Sequence, residues 1–183
     1  MSAEDAERRL FAETLSCELE LPVEVSASDH RGRQAQAATL LSSLAQLEDL
    51  RKDDGEDHGD LPLLAQRMDA KLDLILALLG RLASRDGAMA ARPLRWSRQG
   101  LRIDFQDALP PLPLHAPVVL RLQPAEWLPD HLELPAVVLE QVEMARGGRL
   151  WLGFSDLRPD LSEAMDRHLF RLHRRQIAEQ RRR

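Results

Sequence analysis

The chain has 183 residues, of which 44% are apolar and 30% charged, and its formal net charge at pH 7 is −5. This length suits one domain of ordinary size and excludes a second full-sized enzyme domain, and the composition is that of a folding chain. The single cysteine, Cys17, excludes an internal disulfide and any multi-cysteine zinc site. The N-terminus lacks an apolar leader and no run of about twenty apolar residues occurs, which predicts a soluble cytoplasmic protein without membrane insertion.

Charge is distributed unevenly along the chain. Residues 1–60 carry 15 acids and 6 bases, a net of −9, whereas residues 61–183 carry 15 acids and 19 bases, a net of +4. The C-terminal end concentrates the bases further: Arg167, Arg171, Arg174, Arg175, Arg181, Arg182 and Arg183. Two interpretations remain open, a contact with an acidic protein surface or a solvated helix end that interacts with the helix dipole. Nucleic acid is disfavoured as a partner because the acidic first third would repel it.

The first element predicted from the pattern is a strand. Apolar residues alternate from Leu19 to Val25 apart from Pro22, which has no backbone N–H to donate. The sequence therefore predicts an edge strand within an N-terminal region spanning residues 1–30.

A helical pattern follows over residues 33–51, with apolar residues three and four apart at Ala37, Leu40, Leu44 and Leu47. Residues 52–60 contain two glycines and a cluster of acids, which predicts a loop. Asp60 is placed to cap a second helix over residues 61–85. The two helices would form an inserted hairpin within residues 31–90.

The second helix carries a heptad repeat, with apolar residues spaced alternately by four and three: Leu61, Ala65, Met68, Leu72, Ile75, Leu79 and Leu82. Further leucines widen this stripe beyond a two-stranded seam, and leucine at a with isoleucine at one d favours three or four strands. An intramolecular hairpin alone and a hairpin that also self-associates both remain open. The second predicts a homo-oligomer, most readily a tetramer, built on these seven positions.

The C-terminal half is rich in strands. Alternating apolar residues occur within 91–105 and 117–124, and residues 134–157 contain two strands joined by the turn sequence at 146–149. A helix begins at Pro159, and its apolar face is formed by Leu161, Met165, Leu169 and Leu172. The predicted fold class is α+β: a small antiparallel β-barrel with a C-terminal helix and an inserted helical coiled coil.

No constellation for catalysis or metal binding is present. The six histidines do not pair at metal-ligand spacing, and no nucleophile elbow, phosphate-binding loop or dinucleotide fingerprint occurs. With no tyrosine and few other aromatic residues, the chain also lacks the stacking platform of single-strand nucleic-acid binders. We therefore expect a non-enzyme without catalytic residues, metal or cofactor.

The segment from Arg95 to Gly100, Arg-Trp-Ser-Arg-Gln-Gly, resembles the second ligand motif of PilZ domains. In that motif an aspartate or asparagine, any residue, serine, two residues and glycine hold cyclic di-GMP. Ser97 and Gly100 match, but Arg95 stands where the family has an acid or amide. The family's other motif is a pair of arginines four apart before the barrel, and it is absent here because Arg8 and Arg9 are followed by Ala12 and Glu13 at that spacing.

The order of the elements resembles the atypical, tetramer-forming PilZ domains over nearly the whole chain. That resemblance divides the chain into residues 1–30 and 91–183 for the barrel and terminal helix, and 31–90 for inserted helices. It implies a non-catalytic homotetramer linked to bacterial cyclic-di-GMP control of motility, surface behaviour or virulence.

Two functions follow. The first is an oligomeric signalling adaptor that acts through contacts with a protein partner the sequence does not identify, with degraded ligand motifs and no cyclic di-GMP bound at micromolar concentrations. The alternative is a direct cyclic-di-GMP receptor with a rearranged site and an indole ring of Trp96 or Trp151 for stacking. The candidate ligand-binding residues of that site are Arg8, Arg9, Arg95, Ser97, Arg98 and Gly100.

Overall fold

A computed structural model describes residues 2–53, 72, 79, 89–125, 128 and 130–181, with the side chains of 46–53 excepted. Residues 54–60 of the loop predicted at 52–60 and most of the predicted heptad helix lie outside these residues, so the pairing of the two helices in the inserted hairpin does as well. The helices are α1 (Ala3–Phe11), α2 (Gln34–Asp53) and α3 (Pro159–Gln180). The strands are β1 (Ser16–Ala27), β2 (Ala91–Ser97), β3 (Gly100–Phe105), β4 (Pro117–Leu122), β5 (Leu132–Glu143) and β6 (Gly148–Phe154).

The strands form a closed antiparallel barrel in the order β1-β2-β3-β6-β5-β4, and β4 returns to pair with β1. β1 pairs with two different strands along its length: residues 16–22 pair with β2, and residues 23–27 pair with β4. Pro22 lies at the point of exchange, where its carbonyl accepts a hydrogen bond from the Gln123 amide at 3.0 Å. The prediction of an edge strand is therefore wrong: the strand exists, and it closes the barrel.

The barrel interior is filled by alternate residues of each strand, as the period of two requires. Within the predicted stretch 91–105, β2 and β3 form a hairpin whose two-residue turn is Arg98-Gln99. The predicted turn between β5 and β6 is present as well, with Gly147 at a φ of +79° that a side chain would disfavour. The largest fully buried side chains of the strands are Trp96, Leu101, Ile103, Leu120, Leu122, Leu132, Leu134, Leu150 and Leu152.

α2 and α3 pack together on the barrel, and α2 also contacts β5. Both helices lie close to their predicted bounds, although α2 continues through residues 52 and 53, where the sequence predicts a loop. The start of α2 is held by Gln34, whose side chain donates to the Asp156 carbonyl at 3.1 Å and accepts from the Arg158 amide at 2.7 Å. Among the described side chains, the buried residues of α2 are Gln34, Ala37, Ala38, Leu41 and Leu44, and those of α3 are Leu161, Ala164, Met165, His168 and Leu169.

α1 is an element that the sequence pattern did not predict, since residues 1–30 were expected to contribute only a strand. Ser2 caps it, and the Asp5 carboxylate accepts from the Ser2 amide in return. Its buried side chains, Ala6, Leu10 and Phe11, lie outside the barrel in a small cluster separate from the main core. The described helices include none that is long and apolar enough to cross a membrane.

Candidate functional site

The site that the sequence analysis indicates lies on the outer barrel face covered by α1. The β5–β6 register is irregular between Val138 and Glu140, and here the adjacent side chains of Val138 and Leu139 join different clusters. Val138 joins the main core, whereas Leu139 packs with Trp151 against α1. Leu139 and Trp151 form an apolar floor that α1 packs against.

Glu7 of α1 is the centre of the polar contacts on this face. Its Oε1 accepts hydrogen bonds from Arg95 at 2.9 Å and from Arg102 at 3.0 Å. Its Oε2 accepts from the indole N–H of Trp151 at 2.7 Å. Glu7, Arg95, Arg102 and Trp151, which we call the Glu7 cluster, thus join α1 to β2, β3 and β6 through one carboxylate. Charge-assisted bonds of this kind are roughly twice as strong as neutral ones.

Arg95 makes two further contacts that fix its guanidinium. Its Nε donates to the Ser16 hydroxyl at 3.1 Å, and its Cζ lies 4.5 Å from the centre of the Phe11 ring. The arginine that replaces the family's acid or amide is therefore satisfied by α1 and β1. Sequence reasoning identified the replacement but not Glu7 as its partner.

Further carboxylates and arginines surround the Glu7 cluster. Arg102 is also 3.7 Å from the Glu18 carboxylate and 3.5 Å from that of Asp104, which in turn accepts from Arg149 at 3.0 Å. Glu140 lies opposite Trp151 in the β5–β6 pairing, and Glu179 lines a cavity with Arg95 and Glu18. Without the Glu7 carboxylate, Arg95 would lose its ion pair, and Arg102 would lose the shortest of its three.

Ser97 and Gly100, the two residues that match the motif, both contact Leu10 of α1. The fully buried Ser97 hydroxyl donates to the Leu10 carbonyl at 2.7 Å and accepts from the Gln99 amide at 3.1 Å. A Cβ at Gly100 would lie 2.0 Å from the Leu152 carbonyl oxygen and 2.9 Å from Leu10 Cδ2. The serine and glycine of the motif thus accommodate the end of α1.

The remaining candidate residues, Arg8, Arg9 and Arg98, form ion pairs or line cavities at the surface. Arg98 is 56% exposed and lies 3.6 Å from Asp166 of α3, and Arg8 is 71% exposed and lies 3.8 Å from Asp5. Arg9 is exposed and lines a cavity of about 270 Å³ together with Arg98. Arg8 lines a different cavity, of about 420 Å³, together with Glu7 and Arg95, so the structure brings Arg8 near the Glu7 cluster and places Arg9 with Arg98.

Neither tryptophan suggested for stacking is open to a ligand. Trp96 is completely buried, and its ring centre lies 5.5 Å from that of His168, whereas Trp151 is 4% exposed beneath α1. Burial, with a contribution from nearby arginines, lowers the pKa of His168 to about 4. Burial also raises the pKa of the Cys17 thiol to about 11. No group of three metal-binding side chains occurs among the residues that the structure describes.

The C-terminal arginines lie mainly on the exposed side of α3. Arg167, Arg174 and Arg175 are exposed, and we call them the basic ridge. Arg171 is half-buried, so it lies closer to the buried apolar stripe of α3 than these three arginines do. Phe170, which is 55% exposed, lies on the same side, with the Arg174 guanidinium 6.0 Å from its ring centre.

A family model for the atypical PilZ domain, described as a cyclic di-GMP receptor, matches residues 41–182. The chain belongs to this atypical PilZ family. The closed barrel with its terminal helix is the predicted fold. α1 and β1 precede the matched region of this PilZ chain, so Glu7 and Leu10 lie outside it.

Among solved structures, the PilZ chain is similar to a pathogenic protein from Xanthomonas campestris, described as a new tetrameric PilZ domain self-assembled via an unusual helical bundle. The identity is 50% and the TM-score 0.76, over 96% of this chain and 97% of that chain.

Two other solved structures share less with this chain. The PilZ domain with c-di-GMP of YcgR from Escherichia coli has 17% identity and a TM-score of 0.42, over 52% of this chain and 80% of that one. The Bacillus subtilis inhibitor of motility MotI/DgrA has 20% identity and a TM-score of 0.38, over 48% and 42%. The search among curated proteins found no match.

Proposed function

We propose that this PilZ protein is a non-enzymatic, oligomeric signalling adaptor in cyclic-di-GMP-linked control of bacterial motility, surface behaviour or virulence. It acts through protein contacts and does not bind the dinucleotide through the motif segment at 95–100. Membership of a family described as a cyclic di-GMP receptor supports the connection with this signalling system.

One observation carries the proposal that this segment does not bind a ligand: its polar groups are already used by α1. The Arg95 guanidinium is paired with Glu7, and the Ser97 hydroxyl donates a hydrogen bond to the Leu10 carbonyl. A dinucleotide would have to break these bonds and also place its phosphates near the Glu7 carboxylate. Losing two ligand hydrogen bonds at about 1–3 kcal/mol each would move a micromolar site towards millimolar affinity.

Calorimetric titration of the native protein with cyclic di-GMP tests this part of the proposal. We expect no saturable heat at concentrations up to about 100 μM, because the predicted dissociation constant is well above that range. Low-micromolar binding that is abolished by Ser97→Ala or Arg98→Ala would contradict the proposal. It would instead support the direct receptor with a rearranged site.

The oligomeric part of the proposal rests on the segment after α2. The Xanthomonas protein, at 50% identity, is described as a tetramer assembled via a helical bundle. In this chain Leu72 and Leu79 are helical, seven residues apart and each 55% exposed. Leucines with this spacing lie near one helix face, and a second copy would remove them from water. Light scattering should therefore give a mass near four times the 20.7 kDa of one chain.

A further inference from the structure

We propose that the barrel surface under α1 is a docking groove for an acidic amphipathic helix of a partner protein, and that α1 is its resident intramolecular occupant. The inference builds on the adaptor function proposed above, since an adaptor requires a surface that recognises a partner. It identifies that surface and the chemistry of the helix that fits it.

The groove recognises three features of a helix. Arg95, Arg102 and the Trp151 N–H converge on one carboxylate. The floor formed by Leu139 and Trp151 receives apolar side chains one residue before that carboxylate and three and four residues after it, as Ala6, Leu10 and Phe11 show. The buried Ser97 hydroxyl donates to a backbone carbonyl of the same helix.

The charge of the groove favours an acidic occupant. When the Glu7 carboxylate leaves, the partly buried Arg95 loses its ion pair, and Arg102 keeps its longer contacts of 3.7 Å with Glu18 and 3.5 Å with Asp104. A glutamate or aspartate on the incoming helix takes the place of Glu7, and the two guanidinium groups give that carboxylate directional hydrogen bonds.

α1 can leave without opening the barrel. It has nine residues, too few for a stable isolated helix, and its apolar side chains belong to a cluster separate from the barrel core. Its release therefore amounts to local unfolding of one short helix, while the six paired strands keep their own core. Because residues 12–15 tether α1 closely to β1, its effective concentration at the groove is in the millimolar range. A partner helix binds only when it overcomes this competition.

The test uses the full-length chain and a fluorescent peptide of residues 2–12, which carries the recognition pattern of α1. Glu7→Gln in the chain weakens the resident helix by removing its charge, and Glu4→Gln on the exposed side of α1 is the matched control. Faster trypsin cleavage after Arg8 and Arg9 reports the opening of α1. Fluorescence anisotropy then measures peptide binding to each chain.

We expect the Glu7→Gln chain to bind the peptide, and the native and Glu4→Gln chains to bind it at least about tenfold more weakly because α1 competes. A peptide that itself carries Glu7→Gln should bind the opened chain about tenfold more weakly than the native peptide, because it lacks the charged acceptor. If trypsin shows that Glu7→Gln leaves α1 closed, Leu10→Asp is used to open it, with circular dichroism to verify the barrel.

An opened chain that binds neither peptide, or binds both equally, overturns the groove as an acidic-helix site. A second outcome also overturns it: the opened chain does not bind the peptide, but its tryptophan fluorescence changes when inorganic pyrophosphate is added. That result would assign the arginines to phosphate binding. The proposed adaptor function is tested separately by the cyclic di-GMP titration and the oligomer mass, so that the two failures are distinguishable.

Discussion

Acidification should destabilise this protein through one buried imidazole, that of His168. His168 is on the buried side of α3, where its ring lies against Trp96. Burial is the main reason that its pKa falls from 6.5 to about 4. Arg171 and Arg175 lower this pKa further because their positive charges repel a protonated imidazole. In the unfolded chain the same ring is in water and takes up a proton below pH 6.5.

The sign and size of the effect follow from this difference. Between pH 6.5 and 4 the unfolded chain binds a proton that the folded chain does not, so the free energy of unfolding decreases as the pH falls. Full loss corresponds to about 3 kcal/mol, at roughly 1.4 kcal/mol for each unit of pKa difference, and about 2 kcal/mol of it is lost between pH 7 and pH 5. Above pH 6.5 the contribution is complete and no longer depends on pH.

Urea unfolding followed by tryptophan fluorescence measures this dependence. The measurements at pH 7 and pH 5 should share one protein concentration, because the stability of an oligomer depends on concentration. His168→Gln should remove most of the difference between the two pH values, whereas His173→Gln on the same helix should retain it. A native protein that is equally stable at pH 5 and pH 7, or a His168→Gln variant that keeps the full dependence, would refute the reasoning.

Two further predictions concern surfaces. Leu72→Glu with Leu79→Glu should dissociate the oligomer and leave the circular dichroism of the barrel unchanged, whereas Leu114→Glu, at an exposed leucine in the turn before β4, should leave the mass unchanged. An intact tetramer in the double variant would contradict assembly through these leucines. Replacing the basic ridge by glutamine should weaken capture of an acidic protein partner while leaving the melting temperature nearly unchanged, since exposed charges contribute little to stability. A large fall in melting temperature would instead show that the basic ridge stabilises the fold.

The strands and α3 were predictable because their signals are local. Alternating polarity marks the strands, Gly147 marks the β5–β6 turn, and Pro159 marks the start of α3. Closure of the barrel was not predictable in the same way. It depends on pairing such as Val23 with Leu122, which are far apart in sequence, and a local pattern cannot show that one strand changes neighbours at Pro22.

The site was predictable only in part, for a related reason. The motif residues Ser97 and Gly100 and the exchanged Arg95 were visible in the sequence, whereas their common partner α1 was not. α1 is short and polar, and its docked position depends on long-range contacts. An example is the hydrogen bond between Glu7 and Trp151, which are 144 residues apart in sequence. The Ser2 capping box and the apolar spacing of Ala6 and Leu10 were the available signals.

The anchoring of α2 has a consequence for signalling geometry. The buried Gln34 side chain bonds to the backbone at 156 and 158, so the root of α2 cannot pivot without breaking these bonds. In the oligomer proposed above, α2 would therefore keep the same orientation on each barrel. A partner with several binding modules would meet several copies of this barrel surface, and its avidity would depend on whether its linkers match their spacing.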